Sequence, residues 1–216
     1  MDEIIIRIED ASVQFDKFSI KPAKMEIPKG YIIGIQGDNG AGKTTFLRML
    51  IGSYGDMQGK IYIDNLDVVK DKNEIMKKVG FVSEERTFFM EEDARENEKM
   101  YSLFYPTWDS DEYRKMLKKM KLSVSKSLGA FSTGEMIKYQ LAFAAAYRPE
   151  LLILDEPTAN LDSVFRDDFL KILQEFVAEY ETTILLSTHL QEDLLKIADY
   201  IIEIDNGSYQ MREAEA

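Results

Sequence analysis

The chain has 216 residues, enough for a full hydrophobic core in one domain carrying a subdomain. It contains no cysteine, which removes disulfides, thiolate metal sites and cysteine nucleophiles and suits a reducing cytoplasm. A formal net charge of −12 argues against nucleic acid or an anionic lipid surface as the main partner. With no basic-flanked leader and no apolar run of the roughly 18 residues a span needs, the chain is expected to be soluble by itself and to reach a membrane only through another protein.

Residues 4–8 and 12–15 read as short strands, followed by a turn at Pro28-Lys29-Gly30. The apolar run Tyr31, Ile32, Ile33 and Ile35 then feeds Gly37-Asp38-Asn39-Gly40-Ala41-Gly42-Lys43-Thr44-Thr45, after which Phe46, Leu47, Leu50 and Ile51 recur at helical spacing. This stretch fits G-x-x-x-x-G-K-[ST] in its strand–loop–helix context. Glycines let several backbone N–H groups turn inward around phosphates, and the helix that follows directs its positive end at them. Lys43 would reach the β- and γ-phosphates and Thr44 would offer a hydroxyl to Mg²⁺, so the expected ligand is a nucleoside triphosphate. A lysine in the first turn of a helix opposes the dipole, which favours a bound anion over an empty Gly-rich turn.

Residues 60–64 and 79–83 return as strands. Over 84–148 strand signals thin out, and an acidic run (Glu91, Glu92, Asp93, Glu96, Glu98) precedes a basic one (Arg114, Lys115, Lys118, Lys119, Lys121). Both suit solvated faces of an inserted helical subdomain. Phe104, Tyr105 and Trp108 fit subdomain core better than a partner surface. Residues 151–154 form the uninterrupted apolar run of a strand buried on both faces of a parallel sheet. Ser163–Tyr180 is an amphipathic helix with Phe165, Phe169, Ile172, Leu173, Phe176 and Val177 on one side. A strand at Thr183–Ser187, a helix over 191–198 and a strand over 200–204 follow, and Asp205-Asn206-Gly207 signals a hairpin turn. The alternation predicts an α/β fold in a single domain over 1–216: a P-loop NTPase core with a mostly parallel sheet, an N-terminal antiparallel β subdomain and the inserted α-helical subdomain.

Hydrolysis needs a metal anchor, a base and a γ-phosphate sensor. In Leu151-Leu152-Ile153-Leu154-Asp155-Glu156-Pro157 a buried strand ends in two carboxylates at the edge where a parallel sheet places its ligand. Asp155 is the expected Mg²⁺ anchor and Glu156 the group that orients or deprotonates water; the plainer reading is two acids that end a strand. His189, the sole histidine, follows the strand Thr183–Ser187 and should emerge at the same edge. A lone histidine is often structural, but this position favours a γ-phosphate contact that also holds Glu156. Ser132 and Glu135 form a capping box that starts a helix, and Ser132, Thr133 and Gly134 in its first turn offer a second anion site. Two phosphate-binding helix ends in one chain suggest a paired assembly, each nucleotide lying between two copies.

The ordered set of GDNGAGKTT, FSTGE, LLILDEP, Ala159-Asn160-Leu161-Asp162 and Ser187-Thr188-His189 resembles the ATP-binding subunit of an ABC transporter across essentially the whole chain. The resemblance implies a head-to-tail dimer with a second copy or a homologous ATPase subunit, in which Ser132 and Gly134 contact the γ-phosphate of ATP bound by the other subunit. Asp162 would communicate between the two sites. An upstream aromatic residue would stack on adenine, and Phe15 is favoured over Phe18, though both also suit strand core. The family's usual Gln after the strand predicted over 79–83 is replaced by Glu84, which can ligate Mg²⁺ but cannot donate an amide hydrogen bond. The signature departs too, with Thr133 for Gly and Glu135 for Gln. The segment over 85–105, with Phe88, Phe89 and Met90 exposed or nearly so, would meet an integral membrane permease encoded separately and hold the chain at the inner face of the membrane. Tyr105-Pro106-Thr107-Trp108-Asp109 is similar to short bacterial cassettes of the ABC-2 export type. The alternative is a soluble ABC ATPase acting as an ATP-gated interaction module without transport.

Overall fold

The computed structural model describes residues 3–85, 87–158, 161 and 163–214, without the side chains of Ser163 and Val164. The chain opens on β1 (Ile4–Gln14), a single eleven-residue strand where two were predicted. The polar Glu9-Asp10 pair that reads as a break is a β-bulge: Asp10 has φ 53° and the register against β5 (Gln58–Ile63) shifts between Glu9 and Ser12. Gly59 sits against this bulge with φ 75°, and a Cβ there would lie 2.3 Å from the Asp10 carbonyl oxygen. Gly59→Ala is therefore expected to cost about 2–3 kcal/mol, from left-handed strain plus a backbone clash, measured by urea unfolding.

Around β1 lie β2 (Ser19–Ile20), β3 (Lys24–Pro28), β5 and β6 (Leu66–Asp67), paired antiparallel. Two residues cannot show a period, so β2 and β6 escaped the sequence reading. β3 does alternate, burying Met25 and Ile27, but ends in a proline that reads first as a turn.

The second sheet has β4 (Ile32–Gln36), β7 (Val79–Val82), β8 (Leu151–Asp155), β9 (Thr183–Ser187), β10 (Tyr200–Asp205) and β11 (Ser208–Glu213). Their order is β11-β10-β4-β9-β8-β7, all parallel except the β10–β11 hairpin, which turns at Asn206-Gly207 as predicted. Period two explains why its central strands are apolar throughout. Leu152, Leu154, Ile184 and Leu186 face one core, while Leu151, Ile153, Leu185, Ile33 and Ile35 face another. The first core is covered by α5 (Thr133–Tyr147), α6 (Ser163–Tyr180) and α7 (Gln191–Ile197); the second by α1 (Lys43–Leu50) and the antiparallel sheet.

α2 (Lys72–Lys78), not predicted, buries only Ile75, too little to leave a periodic signal. Between β7 and β8 come α3 (Ala94–Tyr101), α4 (Ser110–Lys119) and α5, with no strand among the described residues. The acidic run is partly structural: Asp93 caps α3 by accepting the N–H groups of Arg95 and Glu96, as Asp109 caps α4. α5 is buried nearly all round, so its aromatic residues form a cluster instead of a stripe. Tyr105 stacks on Tyr147 with ring centroids 4.1 Å apart, and Trp108 meets Phe143 at 4.8 Å, whereas Phe104, expected in the same core, is exposed. Phe88 lies in the same cluster, 4.9 Å from Tyr139 and 5.0 Å from Phe143, so of the triplet expected at the surface only Phe89 is mainly exposed. Met90 is half-buried against the same core. No helix among the described residues is long and apolar enough to cross a membrane.

Candidate active site

Four adjacent parallel strands deliver the site. Their order, β4, β9, β8, β7, puts Gly37 after β4, His189 after β9, Asp155 and Glu156 at the end of β8, and Glu84 after β7 along one carboxyl edge. The loop from Gly37 turns into α1 at Gly42, whose φ of 110° is open only to glycine at low cost. The ring of Phe18 lies under Gly42, where a Cβ would come within 2.4 Å of its Cζ. Phe18 thus supports the loop from below, whereas Phe15 is 40 % exposed and meets Tyr54 edge to face.

Lys43 is 7 % exposed. Its ammonium donates to the Gly37 carbonyl at 2.9 Å and the Asp38 carbonyl at 3.4 Å, and lies 3.5 Å from Glu156 Oε1. The other carboxylate oxygen of Glu156 accepts the His189 backbone N–H at 3.2 Å and sits 2.8 Å from His189 Nδ1. Glu156 itself has φ 50°, a strained conformation held by two bonds from its N–H to Ser187, the carbonyl at 3.1 Å and Oγ at 3.0 Å. The same Ser187 hydroxyl donates to Asp155 Oδ1 at 2.8 Å. Thr188 Oγ1 accepts the Leu190 N–H at 3.0 Å and lies 3.3 Å from Thr158 Oγ1, which fixes the segment carrying His189. A cavity of about 240 Å³ opens between Gly37, Asp38, Asn39, Thr188 and His189.

The predicted residues Gly37, Asp38, Asn39, Lys43, Glu156 and His189 are therefore brought together, with Gly40, Ala41 and Gly42 on the same loop. Thr44 and Thr45 lie in the first turn of α1, Thr44 exposed. Thr44 and Asp155 supply hard oxygen donors of the kind Mg²⁺ takes. No group of three His, Cys, Asp or Glu among the described residues could hold a metal by itself, so the ion would draw its remaining ligands from phosphate and water. Asp162, with Ala159 and Asn160, lies outside the described residues.

Ser132, Thr133, Gly134 and Glu135 stand apart. The bonds of Ser132 and Glu135 run to each other and to Lys126, not to the phosphate loop: Ser132 Oγ accepts the Glu135 N–H at 3.1 Å and Glu135 Oε2 accepts the Ser132 N–H at 2.8 Å. These contacts, the Ser132 backbone N–H first and the Lys126 ammonium second, hold the Glu135 carboxyl below the usual carboxylate range.

Two positioning residues were missed from the sequence. Ser187 was read as a strand end only, yet its hydroxyl joins Asp155 to Glu156. Gln140, buried on α5, accepts the Ser83 N–H at 2.9 Å and donates to the Ser83 carbonyl at 2.7 Å, pinning the segment that carries Glu84. Arg48 of α1 pairs with Glu85 on the other side. The signal in Gln140 was available: a polar residue inside an otherwise apolar helix needs a buried partner.

Residues 20–159 match the model of the family described as ABC transporter. The chain belongs to the ABC transporter family. It is an ATP-binding subunit of that family, whose members hydrolyse ATP. This ABC subunit is 30% identical over 203 residues to the ABC transporter ATP-binding protein NatA of Bacillus subtilis (strain 168), covering 91% of this chain and 82% of that protein. It is 31% identical over 204 residues to the energy-coupling factor transporter ATP-binding protein EcfA2 of Clostridium tetani (strain Massachusetts / E88), covering 89% of this chain and 71% of that protein. Among solved structures, the ATP binding subunit of an ABC transporter superposes with a TM-score of 0.86 at 22% identity, covering 97% of this chain and 90% of that one, which supports the fold.

Proposed function

We propose that this subunit closes on MgATP as a head-to-tail pair with a second copy or a homologous subunit, and that hydrolysis in the pair drives a separately encoded integral membrane permease, an exporter of the ABC-2 type. The observation that carries the hydrolytic reading is the line Lys43–Glu156–His189 beside the phosphate loop. The ammonium that meets Glu156 is the one the β- and γ-phosphates would take. Glu156, steadied by His189, then orients water for in-line attack and accepts its proton, as the bond from the β–γ bridging oxygen to the γ-phosphorus breaks to leave ADP and inorganic phosphate. Thr44, Asp155 and Glu84 would hold Mg²⁺, which when bound neutralises developing phosphate charge. Phe15, exposed near the loop, would stack on adenine.

The pairing rests on the second helix end: Ser132 and Gly134 open α5, capped and without a bond to the chain's own phosphate loop. The permease would dock in a groove of about 250 Å³ that includes Ser83, Glu85, Phe88, Tyr105, Gln140 and Phe143, with Leu103 and Phe104 exposed nearby. Gln140 reaches from that groove to the backbone beside Glu84, a direct route from docking to the ATP site.

Mixing two inactive variants tests the shared site. Lys43→Ala and Ser132→Arg should each abolish MgATP hydrolysis, since each spoils both sites of a homodimer. A mixed pair keeps one intact site, so combining the two should restore a measurable fraction of wild-type turnover. A mixture as inactive as its parts would argue against sites built from two subunits.

A further inference from the structure

The first turn of α5 carries an acid where the proposed pairing would seat a phosphate. The capping box that starts this helix sets the carboxylate of Glu135 against the backbone N–H of Ser132, at 2.8 Å. That bond stabilises the helix end, but it also leaves a full negative charge at Ser132, where the phosphate would be seated. The helix dipole offers only about half a unit of positive charge against it. Left alone, the end of α5 would be a poor anion site.

Compensation comes from outside the helix. Lys126 precedes a 3₁₀ turn at Leu128–Ala130, and its Nζ donates to the same Glu135 Oε2 at 2.9 Å. The ammonium also lies 5.2 Å from the centre of the Phe131 ring, so a carboxylate and an aromatic face together fix it. Side-chain exposures of 37% and 35% leave the Lys126–Glu135 pair only partly screened by water. No other ammonium or guanidinium among the described residues pairs with Glu135.

We infer that Lys126 is a positioning residue of the ATP site completed between two subunits: it pins Glu135 in the capping box and cancels its charge, so that the Ser132 end of α5 can take the γ-phosphate held by the other subunit. The inference rests on the shared-site reading above. It assigns Lys126 an electrostatic task created by Glu135, and a double-mutant cycle separates that task from packing.

The measurement is steady-state MgATP hydrolysis by the full chain. Lys126→Gln should raise KM about three- to fivefold with kcat little changed, the size of one charge at a helix end acting on binding. Lys126→Arg should restore the wild-type KM. In a Glu135→Gln background, where the amide oxygen still completes the capping box but carries no charge, Lys126→Gln should leave KM where Glu135→Gln alone puts it. A KM unmoved by Lys126→Gln, or raised equally in both backgrounds, would overturn the inference while the shared site stands. If the Lys43→Ala and Ser132→Arg mixture fails to recover activity, the shared-site reading falls, and the inference with it.

Discussion

Glu156→Gln should lower MgATP turnover by about 10²- to 10⁴-fold, the range for loss of a positioned general base, while nucleotide binding is retained. The amide has the same shape and can still bond to His189, but it cannot accept a proton from water. Removing the carboxylate also removes a negative charge 3.5 Å from the Lys43 ammonium, in the place the γ-phosphate approaches. ATP is then held but not cleaved, and the paired form should accumulate. Size-exclusion chromatography with MgATP, run beside a phosphate-release assay, reads both effects. Turnover equal to wild type would take Glu156 out of its role.

Ser187→Ala should lower kcat by about 10- to 100-fold, the cost of a misplacement on the order of 1 Å at the reacting centre. Ser187 is fully buried and touches no part of the cavity beside the loop. Its hydroxyl donates to Asp155 and accepts from the Glu156 N–H, so one atom sets both carboxylates. Alanine leaves the φ of 50° at Glu156 with one anchor, the Ser187 carbonyl, instead of two. Stability should fall by about 1–3 kcal/mol from the buried groups left unpaired. Kinetics and urea unfolding on the same variant separate the two losses. Ser187→Thr, which keeps the hydroxyl, should recover more turnover than Ser187→Ala; equal rates would mean the hydroxyl does not position the carboxylates.

The groups proposed to do the chemistry were legible because each sits where a strong local signal ends. Lys43 follows a glycine pattern, Asp155 and Glu156 end an apolar run, and His189 follows another. Their meeting follows from one topological rule, that parallel strands deliver their carboxyl ends to one edge. The residue proposed to stack on adenine was less legible, since Phe15 and Phe18 are chemically alike. Only packing separates them, with Phe18 lodged under Gly42 and Phe15 partly open to solvent. Phe88 was misplaced because hydropathy cannot tell an exposed aromatic from one packed into a cluster drawn from α5 and the segment around Trp108.

The sequence by itself determined the α/β class, the phosphate loop, both carboxylates, the place of His189 after a buried strand and the capped start of α5, because these are encoded within a few consecutive residues by period, glycine placement and capping chemistry. The tertiary structure alone decided that Glu9-Asp10 bulges instead of breaking β1, that Ser187 joins Asp155 to Glu156, that Gln140 holds the backbone beside Glu84, and that Lys126 meets Glu135. Each of these is a contact whose energy depends on burial and on a partner's exact approach, and a linear pattern carries neither.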